Sequence, residues 1–348
     1  MYLSIAPFGR LPNGLDAALY VLENGSGASL AVTDYGARVV RLVMPDRSGA
    51  LADVALGYDS VEPYLKQEDY FGATCGRVCN RIGGARFHLC GKEYRLPAND
   101  GGNTLHGGLH GLSGVLWAAE YVADGVRFRY LSADGEEGFP GRLLAACTYP
   151  LTDDNTVRIT FDAVSDRDTP VSLTNHTYFN LAGHGAGSVA DHTLYVNAAA
   201  FTPVDDRLLP TGELRPVQGT PFDFTAPRAV GARIDADDAQ LRFGGGYDHN
   251  FSLLPVCPGE MKHAATLSDP VSGRSMDVFT TMSGLQVYTA NGLTPRRGKG
   301  GAHYGRRGAI CLEAQHFPDA VNRPAFPSPV LLSGAEYHHV TCLRFGVV

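Results

Sequence analysis

The stretch VRITFDA, residues 157–163, decides the fold class. Val157, Ile159, Phe161 and Ala163 fall on one side of an extended chain, and Arg158, Thr160 and Asp162 on the other, because side chains alternate across a strand. The same period of two recurs at 126–130, where Val126, Phe128 and Tyr130 oppose Arg127 and Arg129. It recurs again at 285–289, where Leu285, Val287 and Thr289 oppose Gln286 and Tyr288. Each pattern predicts a half-buried antiparallel strand. Turn clusters separate such runs: Ser132-Ala133-Asp134-Gly135, Thr152-Asp153-Asp154-Asn155 and Pro270-Val271-Ser272-Gly273. Helical candidates are few and short, at 61–67 and 230–235. With no fixed-period repeat and no low-complexity linker, residues 1–348 read as one large all-β domain, a twisted sandwich of many antiparallel strands.

Composition agrees. The chain is 44% hydrophobic but only 19% charged, with 42 glycines and 21 prolines, which suits short strands joined by turns and not a helical bundle. Its formal net charge is −7, and its two short basic patches, Arg296-Arg297-Gly298-Lys299 and Arg306-Arg307, sit in a glycine-rich loop. A nucleic-acid partner is therefore not expected, since phosphate binding needs a summed positive field. The start, MYLSIAPFGRLPNG, lacks the charged and apolar regions of a signal peptide, and no run approaches the roughly 18 apolar residues of a membrane span. The seven cysteines are scattered. Cys75 and Cys79 lie four apart with no second pair to complete a zinc set, so free thiols in a reducing cytoplasm are expected.

Chemistry concentrates in VSLTNHTYFNLAG, residues 171–183. Alternation puts Val171, Leu173, Asn175, Thr177 and Phe179 on one face and Ser172, Thr174, His176, Tyr178 and Asn180 on the other. A solvated outer face would explain the second set. Solvated faces usually carry Lys, Glu and Arg, however, whereas His and Tyr serve proton transfer and sugar stacking. By this split His176 and Tyr178 face a cleft and Asn175 points away from it. His184 and His192, just beyond, read as surface residues.

A second candidate is AICLEAQHFPD, residues 309–319, where Glu313 sits mid-strand among apolar neighbours and shares a face with Gln315. A carboxylate partly removed from water is a stronger base; an ion pair with an arginine, or exposure on an edge strand, would equally account for it. Asn80 and Arg81 precede a glycine turn, where the guanidinium fork could grip neighbouring hydroxyls or simply tie down a loop. His106 stands against Gly107 and Gly108, either lining a ligand or facing solvent. Asp248 follows Gly244-Gly245-Gly246-Tyr247; no Lys-Ser/Thr follows those glycines, so they are not a phosphate loop. There is no Gly-x-Ser-x-Gly elbow. A metal held by His106, His176 and Asp248 would lack the spacing of a local metal motif. What remains is a metal-free acid–base pair in a cleft rich in hydrogen-bonding groups, which fits a polyhydroxylated substrate.

At this point NRIGGARF, NTLHGG, TNHTYFNLAG, YDHNF, GLQVYTANG and CLEAQHFPDAVN matter together. In order and spacing they resemble the aldose 1-epimerases, also called galactose mutarotases. So do DGEEGFPG at 134–141 and FTPVDDRLLPTGELRPVQGTPFDF at 201–224. The resemblance implies a large antiparallel β-sandwich of the galactose mutarotase type, binding a free sugar in an open cleft and needing no cofactor. It implies that Glu313 is the general base, that His176 is the general acid, and that His106 assists near the ring oxygen. It further implies that Asn80, Arg81, Asp248 and Gln286 contact sugar hydroxyls, with Tyr178 beside them. Relatives often carry an aromatic residue where this chain reads Gly76-Arg77-Val78-Cys79, so Val78 and Cys79 are expected to leave the cleft without a wall contact there. Rival readings are an epimerase for another sugar or a sugar phosphate, with Arg296, Arg297 and Lys299 as the available cations, and a non-catalytic carbohydrate-binding protein. A monomer or homodimer is expected.

Overall fold

The computed structural model describes residues 2–66, 69–257 and 259–348. The opening stretch is realised as the strand Thr156–Ser165, in which Val157, Ile159, Phe161 and Ala163 are all buried. It is central to a nine-stranded antiparallel sheet. In spatial order that sheet runs Ala118–Val122, Gly125–Ser132, Leu143–Pro150, Thr156–Ser165, Glu336–Val347, Arg274–Thr280, Lys262–Ser268, Thr193–Val196 and Arg228–Ala229. The C-terminal strand therefore inserts between segments that precede it by well over a hundred residues and by about sixty. Insertion of that kind turns remote stretches into neighbours, which local propensity alone cannot do.

A second sheet of six strands runs Tyr178–Phe179, Ile310–Gln315, Gly284–Tyr288, Asp248–Ser252, Ala200–Phe201 and Arg215–Pro216. A third, of five strands, is built from residues 2–53. Their inner faces share one hydrophobic core. Leu30, Val32 and Leu42 from the N-terminal sheet meet Phe128, Tyr149 and Ile159 from the nine-stranded sheet, and Leu285, Val287, Ile310 and Leu312 from the six-stranded one. Aligned packing of twisted sheets across such a core is the sandwich architecture that the alternation predicts.

Several expectations are corrected. The 285–289 run is not half-buried, because Gln286 is as buried as Leu285 and Val287. The 171–183 stretch is not one strand. Thr174–His176 pairs with Ala73–Cys75, and Tyr178–Phe179 pairs with Ile310–Gln315, so the chain changes partner at Thr177. The expected helix at 61–67 is a short 3-10 turn, Glu62–Lys66, with Gln67 outside the described residues; that at 230–235 shrinks to the 3-10 turn Val230–Ala232. The α-helix among the described residues is Ala239–Gly244. Asp238 caps it by accepting from the Gln240 N–H, and Gly245 ends it in the left-handed conformation. His192 is buried, its Nε2 accepting the Leu181 N–H at 3.0 Å, while half-buried His184 bonds the Tyr304 hydroxyl at 2.8 Å. No helix among the described residues is long and apolar enough to cross a membrane.

Lys299 also departs from expectation. It is withdrawn from solvent, and its Nζ donates to the carbonyls of Val40 and Ala55 at 2.6 and 2.7 Å and to Asp53 at 2.5 Å. Arg296 pairs with Asp69, and Arg307 with Asp235. Burial pulls the Lys299 pKa down, and Asp53 opposes that pull. Because removing one partner strands a buried charge, Lys299→Met is expected to lower the unfolding free energy by about 3 kcal/mol. Equilibrium urea denaturation measures this; a loss below about 1 kcal/mol would show that the pair behaves as a solvated surface bridge.

Candidate active site

One face of the six-stranded sheet builds the floor of a pocket. Register places Asn250 opposite Gln286 and Gln286 opposite Glu313, with Asp248, Tyr288, Cys311 and Tyr178 forming the adjacent row. Alternation within each strand sends Leu285, Val287, Leu312 and Ala314 to the core and leaves the polar set on the other side. That polar side is covered by Tyr70, Asn80, Arg81, Leu105, His106 and His176. Together with Tyr178, Asp248, Tyr288 and Glu313 they line a cavity of about 160 Å³. Glu313, His176, His106, Asn80, Arg81, Asp248 and Tyr178 thus converge from five separate segments of the chain. Gln286 lies just behind, donating to Asp248 at 2.6 Å.

Glu313 and His176 are both buried, and His176 Nε2 lies 3.7 Å from Glu313 Oε2. That gap is too long for a hydrogen bond, so the two groups face a common point without consuming one another. Among the described residues, His176 Nδ1 and Glu313 Oε2 have no hydrogen-bond partner. Buried polar atoms are nearly always satisfied, so these two pocket-lining residues retain unused hydrogen-bonding capacity. Burial pushes the Glu313 carboxyl well above the usual carboxylate range; the Asp248 charge adds to this and Arg81 opposes it. Burial drives His176 the other way, down to about 3. The His176 ring lies nearly parallel to Tyr178, 4.9 Å away, and to Tyr70, 6.1 Å away.

His106 has a defined tautomer. Its Nδ1 accepts the Asn80 N–H at 3.3 Å, and burial, then the His176 and Arg81 charges, hold its pKa well below normal. The neutral ring consequently carries its hydrogen on Nε2 and acts as a donor. This bears on metal binding, because donor atoms of His106, His176 and Glu313 all lie within 4.8 Å of one another. A metal ligand normally donates its second ring nitrogen's hydrogen to a carbonyl or carboxylate. Here that nitrogen accepts, so the His106 ring is set for hydrogen bonding and not for coordination through Nε2.

Arg81 is oriented by Asp100, with Nε 2.8 Å from Oδ2. Asn175 points away from the pocket as expected, donating to the Gly72 carbonyl at 2.9 Å and the Tyr149 hydroxyl at 3.1 Å. Ser172 and Asn180, on the same nominal face as His176, do not line the pocket. Ser172 contacts Cys79 and the His316 N–H, and Asn180 donates to Gly187 and Gly308. Val78 packs with Ile82, Phe87 and Phe139, and Cys79 with Cys75, so neither residue stands at the cleft wall. Tyr70 supplies the aromatic wall instead. Its neighbours hold it there: Asp69 takes the Tyr58 hydroxyl at 2.9 Å and pairs with Arg296, while Arg38 donates to the Phe71 carbonyl. Sequence reasoning missed Tyr70 and Asp100, which lie in segments without motif character; Tyr288 was marked only by its strand face. A larger depression, about 380 Å³, lies on the nine-stranded sheet. Its Arg127 and His338 lie within ion-pair distance of Asp162 in the same wall.

Known proteins resemble this chain along nearly its whole length. The family model described as Aldose 1-epimerase matches residues 18–344. Galactose mutarotase of Mus musculus is 42% identical over 98% of this chain and 97% of its own length. Aldose 1-epimerase of Escherichia coli K12 is 36% identical over 96% of each. Among solved structures, an aldose epimerase homologue from C. elegans superposes with a TM-score of 0.88 at 29% identity, covering 95% of this chain and 99% of that one. Galactose 1-epimerase from Lactobacillus acidophilus gives 0.85 at 28% identity, covering 99% of each. With that family's model matched over residues 18–344 and relatives alike along nearly their whole length, this chain belongs to the aldose 1-epimerase family.

Proposed function

We propose that Glu313 and His176 are the acid–base pair with which this aldose 1-epimerase interconverts the α and β anomers of a free aldose, galactose or glucose among them. The carrying observation is that two buried residues lining one pocket bring His176 Nε2 within 3.7 Å of Glu313 Oε2 with no hydrogen bond between them. In ring opening the Glu313 carboxylate takes the proton of the C1 hydroxyl. The O–H electron pair forms the C1 carbonyl, the C1–ring-oxygen bond breaks, and the ring oxygen takes a proton from the His176 imidazolium. Rotation about C1–C2 exposes the other carbonyl face, and both transfers then run backwards. The pair carries one proton in total throughout, first on His176, then on Glu313, so no external acid or base is needed.

Both pKa shifts favour the neutral partition of that proton, on Glu313. That is the form in which the pair meets the open-chain aldehyde. Moving the proton to His176 for ring opening is assisted by two features. Arg81 stabilises the Glu313 carboxylate. The Tyr178 face, 4.9 Å away, stabilises an imidazolium through cation–π attraction. His106 donates from Nε2 to the ring oxygen or an adjacent hydroxyl, while Asn80, Arg81 and Asp248 hold the remaining hydroxyls, Gln286 orienting Asp248 from behind. An unphosphorylated sugar fits this wall. Arg81 is already paired with Asp100, and Lys299, a cation that a phosphate would want, is buried against Asp53. A non-catalytic binding role is disfavoured by the retention of both Glu313 and His176 in facing positions. On this reading residues 1–348 act as one catalytic unit, cytoplasmic, as a monomer or homodimer.

Glu313→Gln and His176→Asn are each expected to cut anomer exchange by roughly 10²–10⁴-fold while leaving thermal unfolding close to wild type. NMR magnetisation exchange between α and β galactose and glucose reads the loss directly; near-normal exchange in either folded variant would remove the assignment. The pH profile offers an independent check. Activity needs one proton on the pair, so it falls at low pH only when the pair gains a second, and at high pH only when it loses its last. With His176 lowered to about 3 and Glu313 raised, kcat/KM is expected to be flat through neutral pH. Its alkaline limb should stand well above ordinary carboxylate values. An alkaline limb already in place near pH 4–5, the ordinary range for Glu, would contradict this.

A further inference from the structure

The DGEEGFPG turn at 134–141 lines no part of the sugar pocket, yet it is bonded to both loops that do. Glu137 is the first link. Its two carboxylate oxygens accept the backbone N–H groups of Leu109 at 2.8 Å and His110 at 3.2 Å. Those amides belong to the loop that presents His106, and that loop is strained. His106 itself adopts φ 51°, followed by Gly107 at 93° and Gly108 at 116°. Positive φ at a non-glycine residue persists only where the surroundings over-determine it. Space is equally constrained: a Cβ on Gly107 would lie 1.8 Å from the Gly76 carbonyl oxygen, and one on Gly108 would lie 2.2 Å from Glu137 Oε2. The carboxylate is therefore packed against the loop as well as bonded to it. From the opposite side, the Asn99 amide donates to the carbonyls of Leu105 and Gly108 and accepts the Leu105 N–H.

Arg77 is the second link, three residues before Asn80. Its buried guanidinium donates to the carbonyls of Ser132, Ala133, Pro140 and Gly141 and to the Ser132 hydroxyl. Five donated bonds, all to the two ends of the turn, leave the segment leading into Asn80 and Arg81 one position relative to 134–141. The turn closes on itself through Asp134, which accepts the Gly141 N–H at 2.7 Å. The two loops pair with each other at Thr104–Ile82 and Leu105–Arg81, and both are bonded to this one turn.

We infer that the 134–141 turn is a brace that sets the His106 loop and the Asn80–Arg81 loop in a common frame, with Glu137 the positioning residue for His106. This rests on the reading of His106 as a sugar contact, and it goes further by assigning what holds the ring at its working angle. Displacement of a positioned group by about 1 Å can cost roughly 10²-fold in rate, so Glu137→Ala is expected to lower kcat/KM for galactose by roughly that factor. Glu137→Gln keeps one acceptor for two N–H groups and is expected to lose less, which gives a readable variant should alanine impair folding.

Two readouts separate positioning from a general loss of structure. In the His106→Asn background, Glu137→Ala is expected to reduce kcat/KM by a further factor of less than about 3, because residues acting through one another are not additive. In ¹⁵N-labelled protein, Glu137→Ala or Glu137→Gln is expected to move the His106 ring resonances away from the Nε2–H tautomer pattern while those of His192 and His249 stay in place. Losses that multiply in the double variant, or unchanged His106 resonances in both Glu137 variants, overturn the brace. If His106 resonances move but His106→Asn retains full activity, the brace stands and the role given to His106 in the reaction is what fails.

Discussion

Everything in this site depends on a carboxylate held out of water. Glu313 projects from the middle of Ile310–Gln315, a strand buried on both faces, and the upward push on its pKa follows first from that burial. Placing a carboxyl there is tolerable because it is neutral while protonated and because its neighbours are polar. Asn250, Gln286 and Gln315 surround it with amides. Gln315 donates to Gln286 Oε1 at 3.3 Å and to Asn250 Oδ1 at 3.4 Å, and Gln286 in turn donates to Asp248. A network of this kind specifies side-chain positions inside a core. Among the described residues it leaves Asn250 Nδ2, Glu313 Oε2 and His176 Nδ1 without partners.

The rest of the fold can be read as support for that arrangement. The nine-stranded sheet and the N-terminal sheet supply the apolar mass against which Leu312 and Ala314 pack, which settles the facing of Glu313 by alternation. Short strands and loops then bring the covering residues. The change of partner at Thr177 is the device that lets His176 and Tyr178 reach one pocket from different ladders while their rings lie parallel. A continuous strand would have carried them past the site on one straight edge. The mechanism proposed above would ask for little motion of the protein, since one proton would shuttle between two groups while the sugar rotates.

Much of this was legible from the residues. Period-two alternation in 126–130 and 157–163 identified strands with the correct buried side, and the polar density of 171–183 identified a site. His106, His176, Asp248 and Glu313 carry chemistry visible in their types and settings, and all four meet at the cavity. Other features left no local trace. Tyr70 is an ordinary tyrosine in sequence, and becomes a wall only because Asp69, Arg296 and Arg38 hold its segment across the mouth. His192 reads as a surface residue, yet its ring nitrogen serves a backbone amide in the interior. Lys299, in a glycine-rich loop, reads as a cation that a phosphate could use and is instead buried against Asp53.

Residue types and their alternation therefore determined the fold class, the strand faces in half-buried sheets, and the identity of the groups able to move protons or bind hydroxyls. These are local properties: side-chain direction follows from backbone period, and acidity from functional group. Tertiary structure alone decided which polar faces are buried, since a strand covered on both sides loses the contrast that alternation needs. It alone set the 3.7 Å approach of His176 to Glu313, residues 137 positions apart, and the directions of their pKa shifts. Desolvation and distance are properties of the packed whole, created when remote segments converge, and no window of sequence contains them.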